Sequence, residues 1–153
     1  MPRVSKQVAR KDYPNAGIKK GDTYYKWKFR YSPVNRSLTM PQAEQLTQSA
    51  YMQEWIPLNR DISEFDGEAD DVDELVERAR QLGDEQREKK DNMPEGLQDG
   101  DTGQLLEERA EECEELADSL ENAKTELEQA QDADDDREAA IEAAMEAIRD
   151  CAQ

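Results

Sequence analysis

Thr23-Tyr24-Tyr25-Lys26-Trp27-Lys28-Phe29-Arg30-Tyr31 alternates aromatic and cationic side chains, with Tyr25, Trp27, Phe29 and Tyr31 at one parity and Lys26, Lys28 and Arg30 at the other. Side chains of a strand point to opposite faces in turn, so this period of two predicts a β-strand with a buried aromatic face and an exposed cationic one. Gly21-Asp22 before it and Ser32-Pro33-Val34-Asn35 after it are turn chemistry, which lets residues 17–20 or 37–40 pair with it as short neighbouring strands.

Upstream, residues 1–20 carry Arg3, Lys6, Arg10, Lys11, Lys19 and Lys20 but few large apolar groups, which predicts an irregular arm. Downstream, Pro41 suits the first turn of a helix with Thr39 near its cap, and Ala43, Leu46 and Ala50 follow at helical spacing. A helix over 41–54 is expected, ended by Pro57. Trp55, Ile56, Leu58, Ile62 and Phe65 then form an apolar cluster able to close over the aromatic face of the strand. The first predicted unit is therefore a basic, aromatic, β-containing head over residues 1–65.

Beyond Asp66 the aromatic residues disappear. Val72, Leu75, Val76, Ala79 and Leu82 share one stripe of a helix over 70–90, with acids in its first turn and Lys89 and Lys90 in its last, as the helix dipole favours. Residues 91–103, rich in Asp, Gly, Asn and Pro, read as a loop, so 66–103 is an acidic helix and linker. From Gln104 a heptad appears: Leu106, Cys113, Leu120 and Leu127 recur every seventh residue, with Arg109, Leu116, Ala123 and Ala130 in the complementary position. Residues 132–136 read as a break, and Ile141, Ala144, Ile148 and Cys151 mark a last helix. The third unit, 104–153, is thus a helical hairpin or coiled coil, and the fold class is α+β. An antiparallel hairpin turning near Asp134 predicts Cys151 about one helical turn from the level of Cys113, whereas an unbroken helix of about 1.5 Å rise per residue holds them far apart.

Charge divides the chain in the same place. Residues 1–60 hold eleven Lys or Arg against four acids, a balance of +7, and residues 61–153 hold nine against 34, a balance of −25, which together give the net −18. Such asymmetry suggests that each part faces a different partner, or that each partly neutralises the other. Hydrophobic residues make up 35% of the chain and charged ones 38%, close to the lower limit for burying a core. No apolar run approaches the roughly 18 residues that span a bilayer, and the chain does not start like a secretory signal, so a cytoplasmic protein without membrane contact is expected, in the host cytoplasm if it is viral.

The chemistry points away from catalysis. Two cysteines and no histidine leave no zinc ligand set and no common general base. Glu111, Glu112, Glu114 and Glu115 read as a solvated helix face. Asp132, Asp134 and Asp136 are followed by Arg137 where a calcium loop requires Gly, and Ala143 stands at the position of the bidentate Glu. A non-enzymatic binding protein with no cofactor and no metal is expected.

Cations interleaved with aromatics supply phosphate neutralisation and stacking surfaces together. Lys19, Lys20, Tyr24, Lys26, Lys28, Arg30 and Arg36 are accordingly the candidate nucleic-acid-binding residues, contacting nucleic acid or a nucleoprotein. The acidic helices are expected to self-associate into a homo-oligomer or to engage a protein partner. Two alternatives stand beside this reading: an inhibitor whose acidic helices mimic nucleic acid against a host defence or DNA-processing enzyme, and a virion or assembly component.

The segment Arg10-Lys11-Asp12-Tyr13-Pro14-Asn15-Ala16-Gly17-Ile18-Lys19-Lys20-Gly21-Asp22-Thr23-Tyr24-Tyr25-Lys26-Trp27-Lys28-Phe29-Arg30-Tyr31-Ser32, with the later Gln45-Leu46-Thr47-Gln48-Ser49, resembles a small family of uncharacterised bacteriophage proteins over the first third of the chain. The resemblance implies a viral setting and carries no activity, ligand or site. Gly17 to Tyr25 is also similar to the strand-turn part of certain DNA-break-sensing zinc fingers, without their metal-binding Cys and His.

Overall fold

A computed structural model describes residues 1–132 and 137–153, and the chain falls into two compact units, Met1–Gln53 and Glu54–Gln153. The first holds an antiparallel sheet and the second is helical, so the chain is α+β, as its sequence predicts.

Three strands build the first unit: β1, Ser5–Val8; β2, Thr23–Lys28; and β3, Val34–Ser37, in the order β1-β2-β3. The central strand is the alternating segment. Its register sets Lys26 opposite Ser5 and Arg36, Tyr25 opposite Lys6 and Ser37, and Trp27 opposite Asn35. β1 lies where an irregular arm was expected. Its four residues have almost no apolar signal, and what aligns them is a loop: Ala9 N–H donates to Asp22 O and Gly21 N–H to Ala9 O, both at 2.8 Å. Residues 17–20 are accordingly the return of that loop rather than a strand, helped by Gly17 and Gly21 at positive φ of 65° and 98°. β3 begins inside the expected turn, because the turn tightens to residues 29–33 with Ser32 N–H donating to Phe29 O at 3.3 Å.

The aromatic parity also changes. Tyr24, predicted on the cationic face, is buried with Ala9 and Ile18 and flanked by Tyr13 and Ala16, while Trp27 is buried on the opposite face. Both faces of β2 therefore hide one ring. Tyr31, expected in the core, is 88% exposed because the strand has ended at Lys28 and the turn no longer obeys its alternation.

The helix expected over 41–54 is instead a single 3-10 turn, Ala43–Leu46, followed by α1, Ala50–Ser63, with Pro57 inside it. Proline removes one intrahelical hydrogen bond and costs about 3 kcal/mol. Trp55, Leu58 and Ile62 are buried on one side of this helix. At about 1.5–3 kcal/mol for each large apolar side chain, that stripe outweighs the proline. These residues and Phe65 lie in the helical unit, which begins at Glu54, whereas the head was expected to run to residue 65.

In the second unit, α2, Ala69–Asp91, buries Val72, Leu75, Val76, Ala79 and Leu82, the predicted stripe. The expected loop over 91–103 is shorter than predicted, since α3, Glu95–Gln98, occupies its middle and α4, Asp101–Gln131, begins within it. α2 and α4 pack antiparallel. Along α2 the residues Asp73, Arg80 and Lys90 meet Lys124, Glu121 and Glu107 at 2.7, 2.8 and 2.8 Å, partners that descend α4 as α2 rises, and Arg87 meets Glu114 between them. The heptad of α4 is buried at Leu106, Cys113, Leu116, Leu120, Ala123, Leu127 and Ala130 by α2 and by α5, Arg137–Asp150. The seam thus closes within the chain. Gly83 lets the helices approach closely, since a Cβ on it would lie 3.1 Å from Cys113 Cβ.

Of the expected break over residues 132–136, residues 133–136 lie outside the described residues, and with them Asp134 and Asp136 of the rejected calcium loop. α5 buries Ala144, Met145 and Ile148, and its end is tied down by Arg149 Nε donating to Phe65 O at 2.9 Å and Gln153 N–H donating to Asn59 Oδ1 at 2.6 Å. Cys113 is buried in the seam of α4, and Cys151, just beyond α5, is half-buried. Among the described residues no helix is long and apolar enough to cross a membrane.

Candidate nucleic-acid interface

The central strand organises the head's charge. Directly opposed residues of an antiparallel pair share a face. Lys26, Lys28 and Tyr24 on β2 therefore stand with Arg36 on β3 and Ser5 and Gln7 on β1. Arg36 lies with its guanidinium 4.3 Å from the centre of the Tyr13 ring, and Tyr13 in turn leans on Tyr24 with centroids 5.7 Å apart. An arginine over an aromatic face is held in place while its outer edge remains a donor.

The acids of the head are few and two are committed elsewhere. Asp12 Oδ1 accepts the backbone N–H of Lys20 at 2.6 Å, and Asp22 Oδ2 accepts that of Lys19 at 2.8 Å. These carboxylates close the loop over residues 9–22. Among the described residues none of Lys26, Lys28, Arg30 and Arg36 forms a salt bridge with them. Unit Met1–Gln53 keeps ten Lys or Arg against three acids, a balance of +7.

The predicted site residues separate into groups. Lys26, Lys28 and Arg36 come together on one face. Lys28 and Arg30 are exposed, and Arg30 rests its guanidinium 5.1 Å from the Tyr31 ring in the turn. Lys19 and Lys20 are exposed on the loop that returns to β2. Tyr24 is not a stacking platform: it is 4% exposed, and its hydroxyl donates to Gln7 Oε1 at 3.4 Å. The strand's opposite parity was assigned to the core, and the small loop core took Tyr24 instead.

Three features escaped sequence reasoning. Lys6 stands over Tyr25 at 5.8 Å and Lys11 over Tyr13 at 5.7 Å, pairs that depend on the unpredicted β1 and its loop. The third is a polar cleft of about 520 Å³ on the Trp27 face, lined by Trp27, Phe29, Asn35, Gln45, Gln48 and Gln53. The recurrence of Gln at 45, 48 and 53 was the available signal.

The helical unit presents the opposite field, ten Lys or Arg against 35 acids, a balance of −25. Of the acids singled out on α4, Glu111, Glu112, Glu114 and Glu115 are exposed, and Glu114 pairs with Arg87 across to α2. Among the described residues no cluster of three metal-ligating side chains occurs.

No protein family, curated protein or solved structure matches this chain.

Proposed function

We propose that the chain is a non-enzymatic binding protein whose basic head contacts nucleic acid or a nucleoprotein and whose acidic helical unit engages a protein partner. The observation that carries the reading is the grouping of Lys26, Lys28 and Arg36 on one sheet face, while Asp12 and Asp22 are held by backbone N–H groups of the neighbouring loop. Cations that are not paired with carboxylates are available to phosphates, and each phosphate contact releases counterions.

The test is fluorescence anisotropy of the full chain with labelled single- and double-stranded oligonucleotides at several salt concentrations. Each cation that meets a phosphate contributes about 0.7 to the slope of log affinity against log salt for single strands. Changing Lys26, Lys28 and Arg36 together to Ala is expected to lower that slope by about 2. Affinity that is unaffected by the triple change overturns the reading.

A second reading is supported by the buried seam of α4. With Leu106, Cys113, Leu120 and Leu127 covered within the chain, the outer surface of the helices offers carboxylates rather than an apolar strip. That favours electrostatic engagement of a basic protein, including mimicry of nucleic acid, over self-association through the heptad. The full chain should then displace DNA from a basic DNA-binding protein even when its head cations are removed, and failure to compete defeats it.

A further inference from the structure

We infer that the cleft beside Trp27 receives a single unstacked base of a bound nucleic-acid strand, an inference that rests on the reading of the head as a nucleic-acid-contacting unit. Three observations lead there.

The first is an unmet donor. Trp27 lines the cleft and is only 6% exposed, and its indole Nε1–H is buried without a hydrogen-bond partner. Buried donors in folded proteins are almost always paired, so an orphan at the wall of a cleft marks a place where an acceptor arrives. The neighbouring Gln45, Gln48 and Gln53 are exposed, and entry of a ligand requires the atoms that cover the indole N–H to give way.

The second is the chemistry of the lining. Asn35, Gln45, Gln48 and Gln53 each carry an amide with donors and an acceptor, and Trp27 and Phe29 add ring surface. Part of this capacity is already committed: Gln45 Oε1 accepts the N–H of Gln42 at 3.0 Å, and Gln53 Nε2 donates to Thr47 O at 3.0 Å. What remains includes the amides of Asn35 and Gln48, the group type that reads the edges of bases. No charged side chain lines the cleft, so the part of a ligand that enters is neutral, planar and polar.

The third is the surroundings. Ser32 of the lining belongs to the turn that carries Arg30, and Lys6 shares the Trp27 face through its pairing with Tyr25. A neutral group drawn into a cleft whose rim is cationic is one attached to an anionic chain. That combination describes a nucleotide in a single strand. In the bound state a base carbonyl accepts the Trp27 N–H, an amide of Asn35 or Gln48 meets the base edge, and phosphates lie toward Arg30 and Lys6.

The test uses the full chain carrying Trp55→Phe, so that indole fluorescence reports Trp27 alone. It is titrated with oligothymidylate, with an abasic oligomer of the same length and charge, and with a duplex. The expected result is a Trp27 fluorescence change with oligothymidylate and an affinity about tenfold above that for the abasic oligomer. With the oligomers fluorescently labelled and affinities read by anisotropy, since the first variant leaves no indole to report, Trp27→Phe, which keeps a ring and removes the donor, and Gln48→Ala, at an exposed position, should each reduce that preference by about three- to tenfold and leave abasic binding unchanged. Equal affinity for the two oligomers, or binding to duplex alone, overturns the base cleft while the head's nucleic-acid reading stands. Binding to none of the three overturns both.

Discussion

Three glycines in the helical unit should respond to alanine in three different ways. Gly96, in α3, has open space where a Cβ would go. Alanine there removes conformational freedom from the unfolded chain and should stabilise the unit by about 0.4–1 kcal/mol. Gly83 sits in the interior of α2, where alanine is intrinsically better by about 0.8–1 kcal/mol. Its Cβ, however, would stand 3.1 Å from Cys113 Cβ and 3.4 Å from the carbonyl oxygen of Ala110. Both atoms are fixed to α4, so two long helices must separate by a few tenths of an ångström along the buried seam. Overpacking of this kind costs about 1–3 kcal/mol, which leaves a net loss of about 0–2 kcal/mol. Gly103 is the extreme: a Cβ would fall 1.8 Å from the carbonyl oxygen of Gln98. No side-chain adjustment relieves a backbone clash, and the α3–α4 corner must open, at a net cost of about 2 kcal/mol or more. Urea unfolding followed by circular dichroism reads all three as shifts in midpoint at constant m-value. The Gly83 case has an internal check. The clash is with Cβ and not with sulfur, so Cys113→Ala should fail to restore Gly83→Ala. If Gly83→Ala stabilises as much as Gly96→Ala, α2 and α4 do not cross where described, and if Gly103→Ala is neutral the α3–α4 corner is wrong.

Two further outcomes follow from charge and burial. Burial first, and then the carboxylates of Asp150 and Glu126, hold the Cys151 thiol above the ordinary thiol range, so alkylation near pH 8.5 should be slower in the folded chain than in urea. Because the folded pKa is raised, this thiol contributes stability below its unfolded pKa that is lost as pH rises through the folded one, and equal alkylation rates with and without urea would contradict that environment. Salt should stabilise the helical unit against urea: the interhelical pairs Arg78–Asp61, Arg80–Glu121, Arg87–Glu114, Lys90–Glu107 and Lys124–Asp73 are exposed or partly exposed and contribute about 0–1 kcal/mol each, whereas screening relieves repulsion across a unit of charge −25, and a falling midpoint would refute this ordering.

The parts of the fold legible in the sequence are those in which a buried face repeats. β2, the stripe of α2 and the seam of α4 all announce themselves because each buries one side against a neighbour for several turns or residues. β1 is different, because Ser5–Val8 becomes a strand only when Asp22 and Gly21 bond back to Ala9, a closure that no window of four residues contains. Tyr24 was misplaced for a related reason: alternation assigns one buried face, and here the loop over residues 9–22 covers the second face as well. Pro57 misled the reading of α1 because the local penalty is visible and the buried Trp55, Leu58 and Ile62 that offset it are recognised only in three dimensions. The candidate cations could be read from spacing, but the meeting of Lys26 with Arg36 required the strand register, and the unmet N–H of Trp27 required the packing around it.

Charge segregation in this chain goes deeper than a count along the sequence. In each unit the minority charge has an internal task. Arg78, Arg80, Arg87, Lys90 and Lys124 of the helical unit bridge one helix to another, through Asp61, Glu121, Glu114, Glu107 and Asp73. Asp12 and Asp22 of the head bind backbone donors of a loop. A minority charge used in this way fixes the fold but cannot neutralise the outer surface evenly, so each unit turns its majority sign outward. The same arrangement predicts opposite effects of salt on the folding of the helical unit and on the proposed binding of phosphates by the head. Screening removes self-repulsion from the acidic helices and so favours their folded state, while it removes the counterion-release advantage that a cationic sheet face has toward phosphates. One change of ionic strength applied to the intact chain therefore separates what the charges do for folding from what they do for binding.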